Sequence, residues 1–129
     1  MTETGERRQG HYPGSAAIEA YGSGGFRFAG MSHRGSILVL PSGIHAWDAE
    51  SAADIDAERV AMILSEAAGF EYLLVGSGMD LVPLGPAVRD LFRARGIRAE
   101  VMSTSAALRT YNVLFAEGRL VAGAFLAVD

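Results

Sequence analysis

The stretch that most constrains this fold is residues 71–80, EYLLVGSGMD, in which an apolar run leads directly into glycines. Residues 72–75 are apolar without alternation, which is typical of a strand covered on both faces and predicts the centre of a sheet. The loop 76–85 follows, and Pro86 suits the first position of a helix. A further strand is expected at residues 97–102. This order predicts a β-loop-α-β unit with two parallel strands and a right-handed crossover.

The segments before this unit indicate antiparallel strands. Residues 1–14 are polar and lack periodicity, so we expect a disordered N-terminal tail followed by a single domain at residues 15–129. Residues 16–30 alternate in polarity on either side of a glycine-rich turn, and residues 35–48 repeat this pattern around Pro41-Ser42-Gly43. Both segments predict N-terminal β-hairpins.

Two further helices are predicted from periodicity and capping residues. The spacing of Val60, Ile63, Leu64 and Ala67 predicts an amphipathic helix that begins near Asp56. Hydroxyl side chains at residues 103–105 can cap another helix, which should reach residue 117. An apolar strand at residues 119–128 completes the chain, and its direction stays open. These elements predict a mixed sheet with helices and an extra β layer, in an α/β or α+β sandwich.

The composition excludes several classes of protein. The chain has 129 residues and a formal net charge of −4, and it shows no basic patch, so we expect no nucleic-acid partner. It contains no cysteine, which rules out disulfides and thiolate ligands. No apolar run is long enough to insert into a membrane, and no signal peptide is recognisable, so a cytoplasmic location is expected. His11, His33 and His45 show no metal-ligand spacing, and neither a metal nor a cofactor is predicted.

The glycine loop gives only a weak indication of nucleotide binding. Gly76, Ser77 and Gly78 follow a strand as in a dinucleotide-binding loop, but Leu81 stands where the third glycine is needed. The helix is also expected only at Pro86, too late for its amides to meet a pyrophosphate. Two interpretations remain: the glycines allow a tight turn, or exposed amides at the carboxyl end of the strand bind a ligand.

The last predicted helix carries a polar stripe. Ser105, Arg109 and Asn112 are spaced i, i+4, i+7, and a hydroxyl, a guanidinium and an amide near a helix N-terminus can hold an anion. The same spacing also describes a solvated helix face on which Arg109 pairs with Asp80 or Glu117. This second interpretation is favoured because charged residues on exposed helix faces are common.

The sequence around this helix is similar to a known family. Residues 101–112, VMSTSAALRTYN, together with Leu114 and Glu117-Gly118-Arg119, resemble the signature of the adipogenesis-associated, Mth-type domain family of small proteins. That family includes a mitochondrial assembly factor for respiratory complex I and has no established enzymatic activity. The resemblance implies an α/β fold, a three-layer β/β/α sandwich with a mixed central sheet. It also implies a cleft between the glycine loop and the helix, with ligand-binding residues among Gly76, Ser77, Gly78, Thr104, Ser105, Arg109, Thr110 and Asn112.

Two functional hypotheses follow. The first is a non-enzymatic binding or assembly protein that holds a protein partner, with a role in the biogenesis of a respiratory or membrane complex. The second is a small enzyme or ligand-binding protein that takes an anionic metabolite in the cleft between residues 76–78 and the Arg109 helix. No nucleophile, base or paired carboxylates stand out, so catalysis stays undecided. A homodimer is also open, because exposed strand edges favour pairing.

Overall fold

A six-stranded mixed sheet forms the centre of the computed structural model, which describes residues 11–129. Its strands are β1 (His11–Tyr12), β5 (Ser36–Leu40), β6 (Gly43–Trp47), β7 (Tyr72–Gly76), β8 (Arg98–Met102) and β9 (Val121–Phe125). They lie in the order β1-β6-β5-β9-β7-β8. β7 is parallel to both β8 and β9, whereas β5 is antiparallel to both β6 and β9. The predicted mixed sheet is therefore confirmed.

A second sheet covers part of one face of the central sheet. It contains β2 (Ile18–Gly22), β3 (Gly25–Phe28) and β4 (Met31–Arg34) in that order, all antiparallel. Phe26 and Phe28 are buried in one hydrophobic cluster with Phe125 of the central sheet. This sheet confirms the extra β layer, although β4 was not predicted because its sequence, MSHR, lacks an apolar alternation.

Three helices complete the layers. They are α1 (Ala61–Ser65), α2 (Pro86–Ala94) and α3 (Thr104–Ala116), and short 3-10 turns occur at Ala52–Asp54 and Ala67–Gly69. Side chains of α1 and α2 pack with one face of the central sheet, and α3 packs with the other face beside the small sheet. The three-layer α/β fold is thus confirmed. The helix predicted from Asp56 is shorter than expected, because irregular turns flank its five helical residues.

One expectation about strand position is wrong, and the direction of the last strand, which the sequence left open, is parallel to β7. β9 lies between β5 and β7, so it occupies the centre of the sheet and runs parallel to β7. The apolar run at residues 72–75 belongs to the strand next to this position, with only β8 beyond it. Both strands are buried, so continuous apolarity could not distinguish the central strand from its neighbour.

The N-terminal segment joins the sheet earlier than predicted. His11 pairs with His45, and Tyr12 pairs with Ile44, which makes β1 an edge strand. The Tyr12 ring also meets Phe28 edge-on at a centroid distance of 5.9 Å. The predicted disordered tail therefore does not hold for these two residues, whereas residues 1–10 lie outside the described part of the chain.

Replacement of Gly76 by alanine should destabilise the fold. A Cβ atom at this position would lie 2.8 Å from the Cα of Thr104, and backbone cannot move aside as easily as a side chain. We expect the free energy of unfolding to fall by about 1–3 kcal/mol in chemical denaturation. Gly85→Ala is the matched control, because nothing lies within 4 Å of its Cβ position. Equal stability of the two variants would contradict the close packing of Gly76 on α3.

Candidate functional site

The glycine loop and the start of α3 are joined directly by hydrogen bonds. The Thr104 amide donates to the Gly78 carbonyl at 2.8 Å, and the Gly78 amide donates to Thr104 Oγ1 at 3.0 Å. Thr104 Oγ1 in turn donates to the Leu126 carbonyl at 2.8 Å, just beyond β9. Thr104 is completely buried. These contacts leave no space for a ligand between Gly76 and Thr104.

Ser77 is a structural residue of the same loop. Its side chain is buried, and Oγ lies 2.7 Å from the Asp80 carbonyl and 3.1 Å from the Met102 carbonyl. Oγ also accepts a hydrogen bond from the Val82 amide at 2.9 Å. Asp80 therefore meets Ser77 through its backbone and not through its carboxylate. This arrangement fixes the shape of the loop and provides no base that would activate Ser77.

Two polar side chains in the second half of α3 attach the N-terminal hairpin to the domain. Asn112 Nδ2 donates to the Ile18 carbonyl at 2.9 Å, and Asn112 Oδ1 accepts from the Ile18 amide at 2.8 Å. The neighbouring Tyr111 hydroxyl donates to the Ala16 carbonyl at 2.9 Å. Burial raises the pKa of the Tyr111 phenol far above its ordinary value, so it stays a neutral donor. Asn112 thus serves the fold with both halves of its amide.

Five of the predicted site residues line two separate cavities. Ser105, Arg109 and Asn112 line a cavity of about 470 Å³ between β2 and α3, together with Glu19 and Tyr21. Arg109 is exposed there, and no contact brings it to the glycine loop among the hydrogen bonds and ion pairs of the described residues.

Ser77 and Gly78 line a different cavity, of about 430 Å³, beside residues 126–129. Thr110 lines neither cavity, and its hydroxyl contacts Met102 Sδ at 3.7 Å. The single cleft implied by the resemblance therefore stays a prediction.

A polar cluster that the sequence did not indicate lies at the β5–β6 turn. Ser42 Oγ is 2.7 Å from His45 Nε2 and donates to Glu66 Oε2 at 2.5 Å. The Ser42 amide donates to Glu66 Oε1 at 2.9 Å, and the His45 ring stacks on His11 at 4.4 Å. Glu66 thus accepts hydrogen bonds from both the hydroxyl and the amide of Ser42, which ties the β5–β6 turn to the segment after α1. Glu66 is 24 positions and His11 is 31 positions from Ser42, so spacing could not reveal that they meet there.

The described part of the chain has neither a cluster of metal ligands nor a membrane-spanning helix. Within residues 11–129, no group of three or more histidine or acidic side chains is arranged to hold a metal ion. In the same range, no helix is both long and apolar enough to span a bilayer.

The family of the chain follows from comparison with known proteins. The model of a family described as protein of unknown function (DUF498/DUF598) matches residues 18–126. The chain belongs to this family. A solution structure from Bordetella pertussis, described as a Mth938-like domain, is 31% identical with a TM-score of 0.70, over 87% of this chain and 85% of that chain. The predicted resemblance to the Mth-type family is thus confirmed.

Two further relatives of this family member differ in their descriptions. A crystal structure described as an outer membrane protein from Bartonella henselae is 47% identical, with a TM-score of 0.89, over 92% of this chain and 100% of that chain. NADH dehydrogenase [ubiquinone] 1 alpha subcomplex assembly factor 3 of Mus musculus is 32% identical over 92% of this chain. The chain spans 64% of the length of that assembly factor.

Substitution of Asn112 should weaken the attachment of the hairpin. Asn112→Asp keeps the acceptor for the Ile18 amide but removes the donor and turns a carboxylate oxygen toward the Ile18 carbonyl. We expect a loss of about 1–3 kcal/mol in the free energy of unfolding, measured by chemical denaturation. Arg109→Ala on the same helix is the control and should change stability by less than about 0.5 kcal/mol. The structural role of Asn112 would be refuted if Asn112→Asp were as stable as the control.

Acid should destabilise the fold through two histidines. Burial lowers the pKa of His33, and burial together with the nearby His11 lowers the pKa of His45. The unfolded chain therefore binds more protons than the folded one just below the ordinary value of 6.5. Stability should be complete above that pH and fall as the pH drops below it. Denaturation at about pH 7 and about pH 5 checks this dependence, and His45→Gln should reduce it. An unchanged dependence in His45→Gln and in His33→Gln would contradict the assignment.

Proposed function

We propose that this protein is a non-enzymatic assembly factor that binds a protein partner during the biogenesis of a respiratory or membrane complex. The observation that carries the proposal is its 32% identity to a complex I assembly factor across 92% of the chain. The conserved fold alone would not suffice, since one fold supports many functions.

The use of polar groups in the predicted site supports this proposal. Ser77 and Thr104 are buried and bonded to backbone, and both ends of the Asn112 amide bind Ile18. A catalytic or ligand-binding site needs polar groups that are free to face a ligand. Binding through the outer surface, in contrast, leaves these internal hydrogen bonds intact.

A second candidate function rests on Arg109. The guanidinium is exposed in the cavity between β2 and α3, where Ser105 offers a hydroxyl to an anionic metabolite. Glu19 lines the same cavity, and its carboxylate opposes an anion. For this reason we place the anionic ligand, and any enzymatic use of it, second to the assembly role.

Loss of the gene should impair a respiratory complex. In cells of the source organism from which the gene is deleted, we expect lower NADH dehydrogenase activity and subassemblies of the complex on native gels. Re-expression of the wild-type chain should restore both, and so should Arg109→Ala, because its exposed side chain has no part in the proposed interaction.

The opposite outcome favours the second candidate. Normal complex assembly in the deleted cells would contradict the assembly role. A rise in melting temperature with one anionic metabolite, absent in Arg109→Ala, would then support the ligand-binding role. The cytoplasmic location predicted from the sequence is part of the proposal, and fractionation of the same cells tests it.

A further inference from the structure

The loop between β7 and α2 exposes three large apolar side chains within four consecutive residues. Met79 is 72% exposed, Leu81 is 59% exposed and Val82 is 41% exposed. Single exposed apolar residues are normal on a protein surface, but neighbouring ones on one short loop are typical of interaction sites. These three residues, which we call the apolar loop, lie where α/β folds usually bind ligands, beyond the carboxyl end of a parallel strand.

The apolar loop is held in one shape before any partner arrives. Ser77 Oγ donates to the Asp80 carbonyl and accepts from the Val82 amide, and these hydrogen bonds fix the backbone of the loop between residues 77 and 82. Gly78 is bonded to Thr104 through both its amide and its carbonyl. Leu84 is 8% exposed and anchors the other end in the core. A loop that is already ordered loses less conformational entropy on binding.

The surroundings of the apolar loop are acidic. Met79 and Val82 line the cavity of about 430 Å³ together with Glu50, Asp80 and Asp129, and that lining includes no lysine or arginine. Charged groups around an interface select partners of the opposite charge. The surface that fits this loop is therefore apolar at its centre and basic at its rim.

We propose that the apolar loop is the docking surface for a protein partner that offers an apolar face bordered by lysine or arginine. Met79, Leu81 and Val82 pack against that face, and a basic side chain of the partner reaches the carboxylates near the loop. This inference rests on the proposed function and adds to it the surface and the chemistry of the partner.

Two other occupants fit the charges less well. An anionic membrane would bring lipid phosphates to Glu50, Asp80 and Asp129, which repels the surface that the loop must approach. A second copy of the chain in a two-fold dimer would place the same carboxylates against one another. A basic protein surface avoids both conflicts.

A titration of the full chain with two model peptides tests this assignment. One peptide is an amphipathic helix of leucine and arginine, and in the other each arginine is replaced by glutamate. In a ¹H–¹⁵N NMR titration, we expect the arginine peptide to shift the signals of residues 78–82 and the glutamate peptide to shift none. Leu81→Ser should lower the affinity for the arginine peptide by at least about tenfold. Val113→Ser, a control at a residue that is 52% exposed on α3, should bind as the wild type does.

Several results would overturn the inference. These are equal binding of both peptides, signal shifts centred elsewhere, and equal affinities of Leu81→Ser and Val113→Ser. Binding to phosphatidylcholine–phosphatidylglycerol vesicles that Leu81→Ser abolishes would assign the loop to a membrane, and self-association that it abolishes would assign the loop to a second copy.

The gene-deletion assay separates this inference from the assembly role. If Leu81→Ser restores complex assembly as fully as the wild type, the docking surface is wrong while the assembly role stands. If deletion leaves the complex intact, the assembly role fails whatever the peptides show.

Discussion

The buried hydroxyl of Thr104 holds together the segments that follow the carboxyl ends of β7 and β9. It accepts from the Gly78 amide and donates to the Leu126 carbonyl, so one side chain joins the glycine loop, α3 and the end of β9. A buried backbone group without a partner destabilises a fold, and this hydroxyl satisfies two such groups. Gly76 belongs to the same arrangement because only a residue without Cβ lets β7 approach α3 this closely.

A second set of contacts explains why the polar residues of α3 contribute to stability. The side-chain amide of Asn112 donates to the Ile18 carbonyl and accepts from the Ile18 amide, the same pair of hydrogen bonds that a neighbouring strand would provide. Tyr111 holds Ala16 two residues earlier, and its ring packs edge-on against Phe125 at 5.7 Å. Hydrogen bonds from α3 therefore hold the first strand of the small sheet in place. Phe26 and Phe28 of the same sheet are buried in the core cluster that contains Tyr111 and Phe125.

Periodicity predicted the parts of this fold that depend on local sequence. The strand before the glycine loop, the helix start at Pro86 and the Ser103 cap of α3 each have a residue pattern with a direct physical cause. The partners of Asn112 could not be predicted, because Ile18 is 94 positions away in sequence. Helical spacing shows that residues share a stripe, but the packing of other elements decides whether that stripe meets solvent or backbone. The Mth-type resemblance supplied the layer order that periodicity alone left open.

The glycine loop combines residues that stabilise the fold with residues that are exposed to solvent. Ser77 is buried and Gly78 is half-buried, and both use their polar groups in hydrogen bonds within the fold, while Met79 and Leu81 are exposed and contribute little to the core. Exposed apolar side chains on a loop that has no freedom to fold them inward remain available to a partner. A flexible loop with the same residues would lose conformational entropy when it is ordered on binding. Internal hydrogen bonds thus make the loop suited to binding a partner, and that is a function that needs no catalytic group.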